Sequence, residues 1–254
     1  MRADIITIFE PMFAAIGEHG ITSRALARQL FSWRFWNPRD VVQTNYKSVD
    51  DRPYGGGPGM VMMAPPLAQT IDAIRADQIG ALGAAGPVIY LSPQGRPVTQ
   101  QRIAQLANLP CFTLLCGRYE GVDERLLTSR VDEEISVGDC VVTGGELPAM
   151  ILLDAAIRLL PGALHDERSA PNDSFVAGLL DHPHYTRPEV FEGLRVPDVV
   201  SGGNHALIDA WRREQAILAT AIKRPDLIDA ALKTGELSAK EWREIQIQLK
   251  NRAT

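Results

Sequence analysis

The sequence predicts an α/β protein built on a largely parallel sheet, followed by a small helical unit. Three observations carry that expectation. Short runs of β-formers alternate with helical apolar stripes through the first 160 residues. Several of those runs end in glycine or polar loops. Beyond a polar, proline-bearing stretch, the punctuation becomes wholly helical.

Taken in order, Ile5–Phe9 reads as a buried strand, and residues 11–17 and 23–30 as short helices separated by Gly20. Asp51–Gly59 packs four glycines and two prolines into nine residues, which suits a mobile flap or a disordered connector. Pro65 and Pro66 open a helix striped by Leu67, Ile71 and Ile74. After a flexible turn at Gly80–Gly86, Val88–Leu91 forms a strand that ends at Ser92-Pro93-Gln94-Gly95. Thr99 caps a helix through Ile103 and Leu106, Phe112–Cys116 is the next strand, and Gly117 opens a turn.

The chain is organised around SVGDCVVTGGELPAM, residues 136–150. Val137, Val141 and Val142 are β-formers, while Gly138, Gly144 and Gly145 stand where the backbone turns or approaches something closely. Glu146 favours a first helical turn, Pro148 suits an early helical position, and Met150–Leu160 supplies an apolar body. Such a corner presents bare main-chain groups that can grip a planar heterocycle. An ordinary turn between strand and helix is the alternative. Three loops, Tyr90–Gly95, Gly117–Asp123 and Ser136–Gly145, follow strands, and ligands of open α/β sheets bind beyond the strands' carboxyl ends. Neither GxGxxG nor GK[ST] is present, which disfavours a dinucleotide fold or a phosphate loop.

At 254 residues, 45% hydrophobic and 22% charged, the chain has the composition of a soluble protein. Asp4 and Glu10 interrupt the first apolar run too early for a secretory signal, and no stretch approaches the ~20 apolar residues of a membrane span. A cytoplasmic protein without membrane contact is expected. Cys111, Cys116 and Cys140 lack CxxC spacing and read as buried free thiols, with no metal cage. A net charge of −5 gives no bulk attraction to nucleic acid. Between residues 24 and 52, however, Arg24, Arg28, Arg34, Arg39, Lys47 and Arg52 interleave with Trp33, Phe35, Trp36 and Tyr46. That mixture suits a nucleic-acid surface or a solvated face beside a core edge.

Residues 161–174, PGALHDERSAPNDS, read as a linker between a domain at 1–160 and a helical one at 175–254. In the latter, Asn204 caps a helix striped by Leu207, Trp211, Leu218 and Ile222. Ser238 and Glu241 form a capping box with Leu237 and Trp242 as its staple.

Five motifs, DRPYGGGPGM (51–60), YLSPQGR (90–96), CGRYEGVDER (116–125), the 136–150 stretch and LLDHPHYTRPEVFEG (179–193), together resemble the bacterial tRNA (guanine-N1)-methyltransferase family, in order and over nearly the whole chain. The resemblance implies a SPOUT-type sheet with a deep trefoil knot, S-adenosylmethionine as cofactor, and methyl transfer to N1 of guanosine 37 of tRNA. Physics alone would not propose a knot. It also implies a homodimer with active sites at the subunit interface, Asp173 as general base and Arg158 as the group stabilising guanine O6. On spacing alone, Asp173 reads as a helix cap and Arg158 as a partner of Asp154 one turn back.

For the cofactor, the resemblance points to Tyr90, Leu91, Pro93, Gly117, Tyr119, Glu120, Ser136, Val137, Gly138, Asp139, Cys140, Val141, Val142, Gly144, Gly145 and Pro148. Glu120 is a candidate for meeting the sulfonium or a magnesium ion, with a solvated loop acid as the alternative. Ser169, Asp181, His182, His184, Tyr185 and Arg187 look like tRNA contacts, otherwise a polar inter-domain surface. Val137, Cys140 and Val142 stand where the family commonly has isoleucine, tyrosine and leucine. The functional alternatives are a non-catalytic RNA-binding protein on an inactivated fold, and a methyltransferase acting on ribosomal RNA or a ribose hydroxyl.

Overall fold

The computed structural model describes the backbone of residues 1–166, 170 and 173–253, with the side chains of the last two left out. Ser169 lies outside the described residues. The chain divides into two compact units, Met1–Glu167 and Arg168–Thr254.

The first unit runs β1 (Arg2–Ile6), a 3-10 turn at Glu10–Phe13, α1 (Ala14–Gly17), α2 (Gly20–Ala27), β2 (Ser32–Trp36), β3 (Asp50–Asp51), β4 (Val61–Met62), α3 (Ala64–Leu82), β5 (Val88–Pro97), α4 (Gln100–Ala107), β6 (Cys111–Cys116), α5 (Glu124–Arg130), β7 (Glu133–Ser136) and α6 (Glu146–Ile157). Five strands form one sheet in the order β2-β1-β6-β5-β7, every pair parallel. A parallel sheet must be covered on both faces, and its central strands are accordingly buried along the paired stretch, Ala3–Ile6, Val88–Leu91 and Cys111–Cys116. Ile5 and Leu114 belong to one core with Phe13, Leu106 and Leu153, whereas Ile6 and Leu115 belong to the other with Leu67, Ile71 and Ile74. Neighbouring strand residues thus feed opposite layers. The fold class is therefore α/β with a parallel sheet, followed by C-terminal helices.

Several boundaries differ from the sequence expectation. The first strand occupies Arg2–Ile6 rather than Ile5–Phe9, because Asp4, polar yet fully buried, is satisfied inside the fold by Arg2 at 2.7 Å, Trp36 Nε1 at 2.8 Å and Gln78 Nε2 at 2.8 Å. Gly20 opens α2 instead of separating two helices. The helix from Pro65 runs through Gly80 and stops at Gly83, whose φ of +82° makes the left-handed cap. Strand β5 does not end at Leu91. Ser92–Gly95 loops out, the register with β7 shifting between Leu91 and Arg96, and pairing resumes to Pro97. An added Cβ at Gly95 would lie 2.5 Å from the Ile135 nitrogen, so this loop needs its glycine.

The glycine- and proline-rich stretch joins two short antiparallel strands, with Asp50 opposite Met62. Its base is tied down by main-chain bonds from Met62 to Gly121 (2.9 Å) and from Glu120 to Met60 (2.9 Å). Most of the basic and aromatic residues after Arg24 are also occupied internally. Trp33 and Phe35 pack around Phe13, and Arg34 lies 4.3 Å over Trp36 while pairing with Asp77 at 2.6 Å. Tyr46 is exposed.

At the far end of the first unit Ala163 is still buried in its core, and Arg28 donates to the Gly162 carbonyl at 2.6 Å. The second unit holds the hairpin β8 (Val190–Phe191) and β9 (Leu194–Arg195), then α7 (Asp198–Ser201), α8 (His205–Lys223), α9 (Asp226–Thr234) and α10 (Ala239–Ala253). Asn204 caps α8 through Leu207 N–H at 3.3 Å. The buried face of α8 is Ile208, Ile217, Leu218 and Thr220, so the expected stripe is rotated and Leu207 and Ile222 are exposed. The capping box is present, with Ser238 N–H on Glu241 at 2.9 Å and Glu241 N–H on Ser238 Oγ at 3.2 Å. Leu237 and Trp242 both join the local core. Among the described residues no helix is long and apolar enough to cross a membrane.

Candidate active site: a glycine-lined cleft at the carboxyl edge of the sheet

Strands β5, β6 and β7 end side by side, and the loops that leave them line an open cleft. Every residue assigned to the cofactor from the sequence lines this cleft except Asp139, which is exposed outside it. Ser92, Arg118, Gly121 and Thr143, which lie in the three loops expected to converge but are not singled out individually by the sequence, line it as well, and so does Ile135, which sequence reasoning missed.

The Ser136–Gly145 segment departs from expectation. The strand stops at Ser136, and no strand follows at Val137–Val142. Ser136 Oγ accepts from Gly138 N–H at 3.1 Å and Cys140 N–H meets the Gly138 carbonyl at 2.8 Å, so the chain turns instead of extending. Val141 is consequently 88% exposed and Val142 half-exposed. Cys140 is exposed too, whereas Cys111 and Cys116 are the buried thiols expected. Gly138 has φ +141°, with no atom within 4 Å of an added Cβ, which leaves open space at its side of the cleft.

The two other loops are drawn tightly against this segment. Gly145 N–H bonds the Gly117 carbonyl at 2.9 Å, and a Cβ at Gly117 would come within 2.7 Å of the Tyr90 ring. Burial first, and Glu134 second, push the Tyr90 phenol up to about 12, so it stays protonated as a neutral wall. Glu120 is the one carboxylate among the described residues that line the cleft, and Arg118 the one cation. A side chain at Gly59 would collide with Glu120, so the glycine-rich stretch packs directly behind it. Tyr119 holds the left-handed φ of +59°, and burial followed by its hydrogen bond to Asp50 raises its phenol.

Arg158 caps the carboxyl end of α6, half-buried, its main-chain N–H on the Asp154 carbonyl at 3.2 Å. Asp173 belongs to the second unit, in a turn where Val176 N–H meets its carbonyl at 3.3 Å; the helix it was expected to cap does not follow. Asp181, His182, His184 and Tyr185 do gather. Asp181 Oδ2 lies 2.8 Å from His184 Nε2, the two imidazoles are 4.5 Å apart, and Tyr185 leans on Trp211 at 6.1 Å. Arg187 is exposed beyond them.

A parallel α/β sheet whose strand-end loops converge on a glycine-lined, main-chain-rich cleft is an arrangement many α/β enzymes share, and it is the family match that places this one in the SPOUT class of methyltransferases. The family model described as tRNA (Guanine-1)-methyltransferase TrmD matches residues 1–230, and the chain belongs to that family. It is 59% identical to the tRNA (guanine-N(1)-)-methyltransferase of Ralstonia nicotianae, covering 94% of this chain and 90% of the relative. It is 57% identical to the protein of the same description from Cupriavidus taiwanensis, covering 94% of this chain and 92% of that one.

Proposed function

We propose that this protein transfers a methyl group from S-adenosylmethionine to N1 of guanosine 37 of tRNA, with residues 1–160 holding the cofactor and residues 175–254 contacting the tRNA. The observation that carries this reading is the single cleft formed by three loops in a chain of the tRNA (guanine-N1)-methyltransferase family. The cleft suits the cofactor. Leu91, Ile135, Val137 and Pro148 offer apolar walls to a heterocycle, glycine main chain offers donors and acceptors to its edges, and Glu120 offers a negative charge to a sulfonium or a magnesium ion.

When bound, S-adenosylmethionine supplies a methyl group already activated on sulfur. What remains for the protein is to align the acceptor and manage one proton. Guanine N1 is protonated at neutral pH and becomes nucleophilic only as that proton leaves and charge gathers on O6. Asp173 takes the proton in this account, and the Arg158 guanidinium steadies O6. Asp181, His184, Tyr185 and Arg187, with Ser169, contact the tRNA. We further propose that each chain is threaded as a trefoil knot and that two chains form a cytoplasmic homodimer, in which Asp173 serves the partner's cleft. The exposed Leu147 and Ile151 on the outer face of α6 support an apolar subunit contact.

Replacing guanosine 37 tests the chemistry. Inosine keeps N1–H and O6 and is expected to be methylated, while adenosine lacks both and leaves the site's polar groups unmatched. Equal methylation of the two substituted tRNAs would remove the roles given to Asp173 and Arg158.

A further inference from the structure

Glu146 opens α6 and is fully buried, yet it reaches two other segments. Thr7 Oγ1, just past β1, donates to its Oε1 at 2.8 Å. Its Oε2 lies 2.8 Å from Arg118 Nε, but the N–H does not aim at the oxygen, and neither atom makes another hydrogen bond among the described residues. Charge alone holds this contact. The same guanidinium donates through Nη1 to the Thr143 carbonyl at 3.3 Å, meets Met12 Sδ at 3.2 Å and lies 4.3 Å from the centre of the Phe9 ring. A Cβ on Gly144 would collide with Arg118 Nε and Cδ, so the glycine there makes room for the arginine.

A helix start that needed only packing would be served as well by an apolar residue, since exchanging a buried ion pair for apolar side chains is often neutral or stabilising. We propose that Arg118 and Glu146 are a positioning pair that holds the Thr143–Gly145 arch against Gly117, so that the main chain of both loops meets the methyl donor together. The inference rests on reading the cleft as the S-adenosylmethionine site. Glu146 does not line the cleft and acts through Arg118.

Three variants separate positioning from simple stability. Glu146→Gln keeps the Thr7 bond and the volume but removes the charge. Arg118→Lys keeps the charge but loses the fork that reaches Thr143. The double variant Arg118→Met/Glu146→Leu removes the pair without leaving a buried charge. With calorimetry for S-adenosylmethionine, filter binding for tRNA and separate KM values for each, both single variants should weaken the donor by about tenfold or more and leave tRNA affinity within about twofold. The double variant should melt no lower than the singles and still bind the donor as poorly. Donor affinity that recovers with thermal stability in the double variant would overturn the proposal. So would near-normal donor affinity in a folded Glu146→Gln protein, or in Arg118→Lys if the glutamine variant fails to fold. Wild-type protein that binds no S-adenosylmethionine would instead overturn the reading of the cleft, and the positioning role with it.

Discussion

Gly145 hands its main-chain N–H to the Gly117 carbonyl at 2.9 Å, and an added Cβ on Gly145 would stand only 2.7 Å from Cys116 Cα. This close seam joins the end of β6 to the start of α6 and fixes the width of the cleft. Gly145→Ala must push main chain from main chain, which should cost about 1–3 kcal/mol in urea unfolding and weaken S-adenosylmethionine binding in step. Gly138→Ala meets no neighbour and carries only the strain of its φ of +141°, about 1 kcal/mol or more. Equal donor affinity in the two variants would show that the seam does not shape the site.

The three thiols should differ sharply in reactivity. Cys140 is exposed on the cleft, while burial first and the Glu146 charge second hold the Cys116 thiol well above its ordinary range. Burial likewise raises Cys111. A maleimide should therefore label Cys140 alone in the folded protein, and S-adenosylmethionine should slow it. Labelling unaffected by saturating donor would separate Cys140 from the binding site. Cys140→Ser should leave donor affinity nearly unchanged, because the contacts expected of this position are main-chain ones.

In the second unit, Glu241 is held down to about 2, chiefly by Arg213 and then by the Ser238 hydroxyl and N–H. A folded-state value below the unfolded one contributes stability above the unfolded carboxyl range and loses it as pH falls toward 2. Its side chain is about one-third exposed, so solvent screening reduces the contribution to about 1 kcal/mol. Glu241→Gln should accordingly lower the melting temperature by a few degrees at pH 7, and the gap should close as pH drops from about 4.5 to 2. A gap independent of pH would assign the effect to the cap's geometry alone.

Much of this was legible in the residues. Leu67, Ile71 and Ile74 are spaced for one helix face and are fully buried; Thr99, Asn204 and the Ser238–Glu241 box cap where their side chains suggested. The three loops converge because parallel strands end on one edge. What escaped was decided at longer range. Valines 141 and 142 read as strand, yet no neighbouring strand offers them a partner, and Ser136 and Gly138 turn the chain away. Arg118 carried no periodic signal, since its role comes from Phe9, Thr143 and Glu146, which meet only in the fold. The rotated face of α8 was set by packing against Ile228 and Ile245.

Sharing of the active site between subunits can be read from mixed dimers. Asp173→Ala should lose about 10²- to 10⁴-fold in kcat, the range of a positioned proton-transfer group, and Arg158→Ala about 10²- to 10³-fold, the range of a group that stabilises developing charge. Mixed with free subunit exchange, they should recover roughly a quarter of wild-type activity, because half the dimers are mixed and each then holds one intact site. A mixture that stays inactive, with exchange verified by mass-tagged subunits, would put both residues in one subunit's site.

The central claim is the position of the transferred methyl. Purified protein is incubated with methyl-labelled S-adenosylmethionine and unmodified tRNA, and the tRNA is digested and sequenced by mass spectrometry. The account predicts a single labelled nucleoside, 1-methylguanosine, at position 37. Label on another base, on a ribose hydroxyl, or on no nucleotide at all would contradict it.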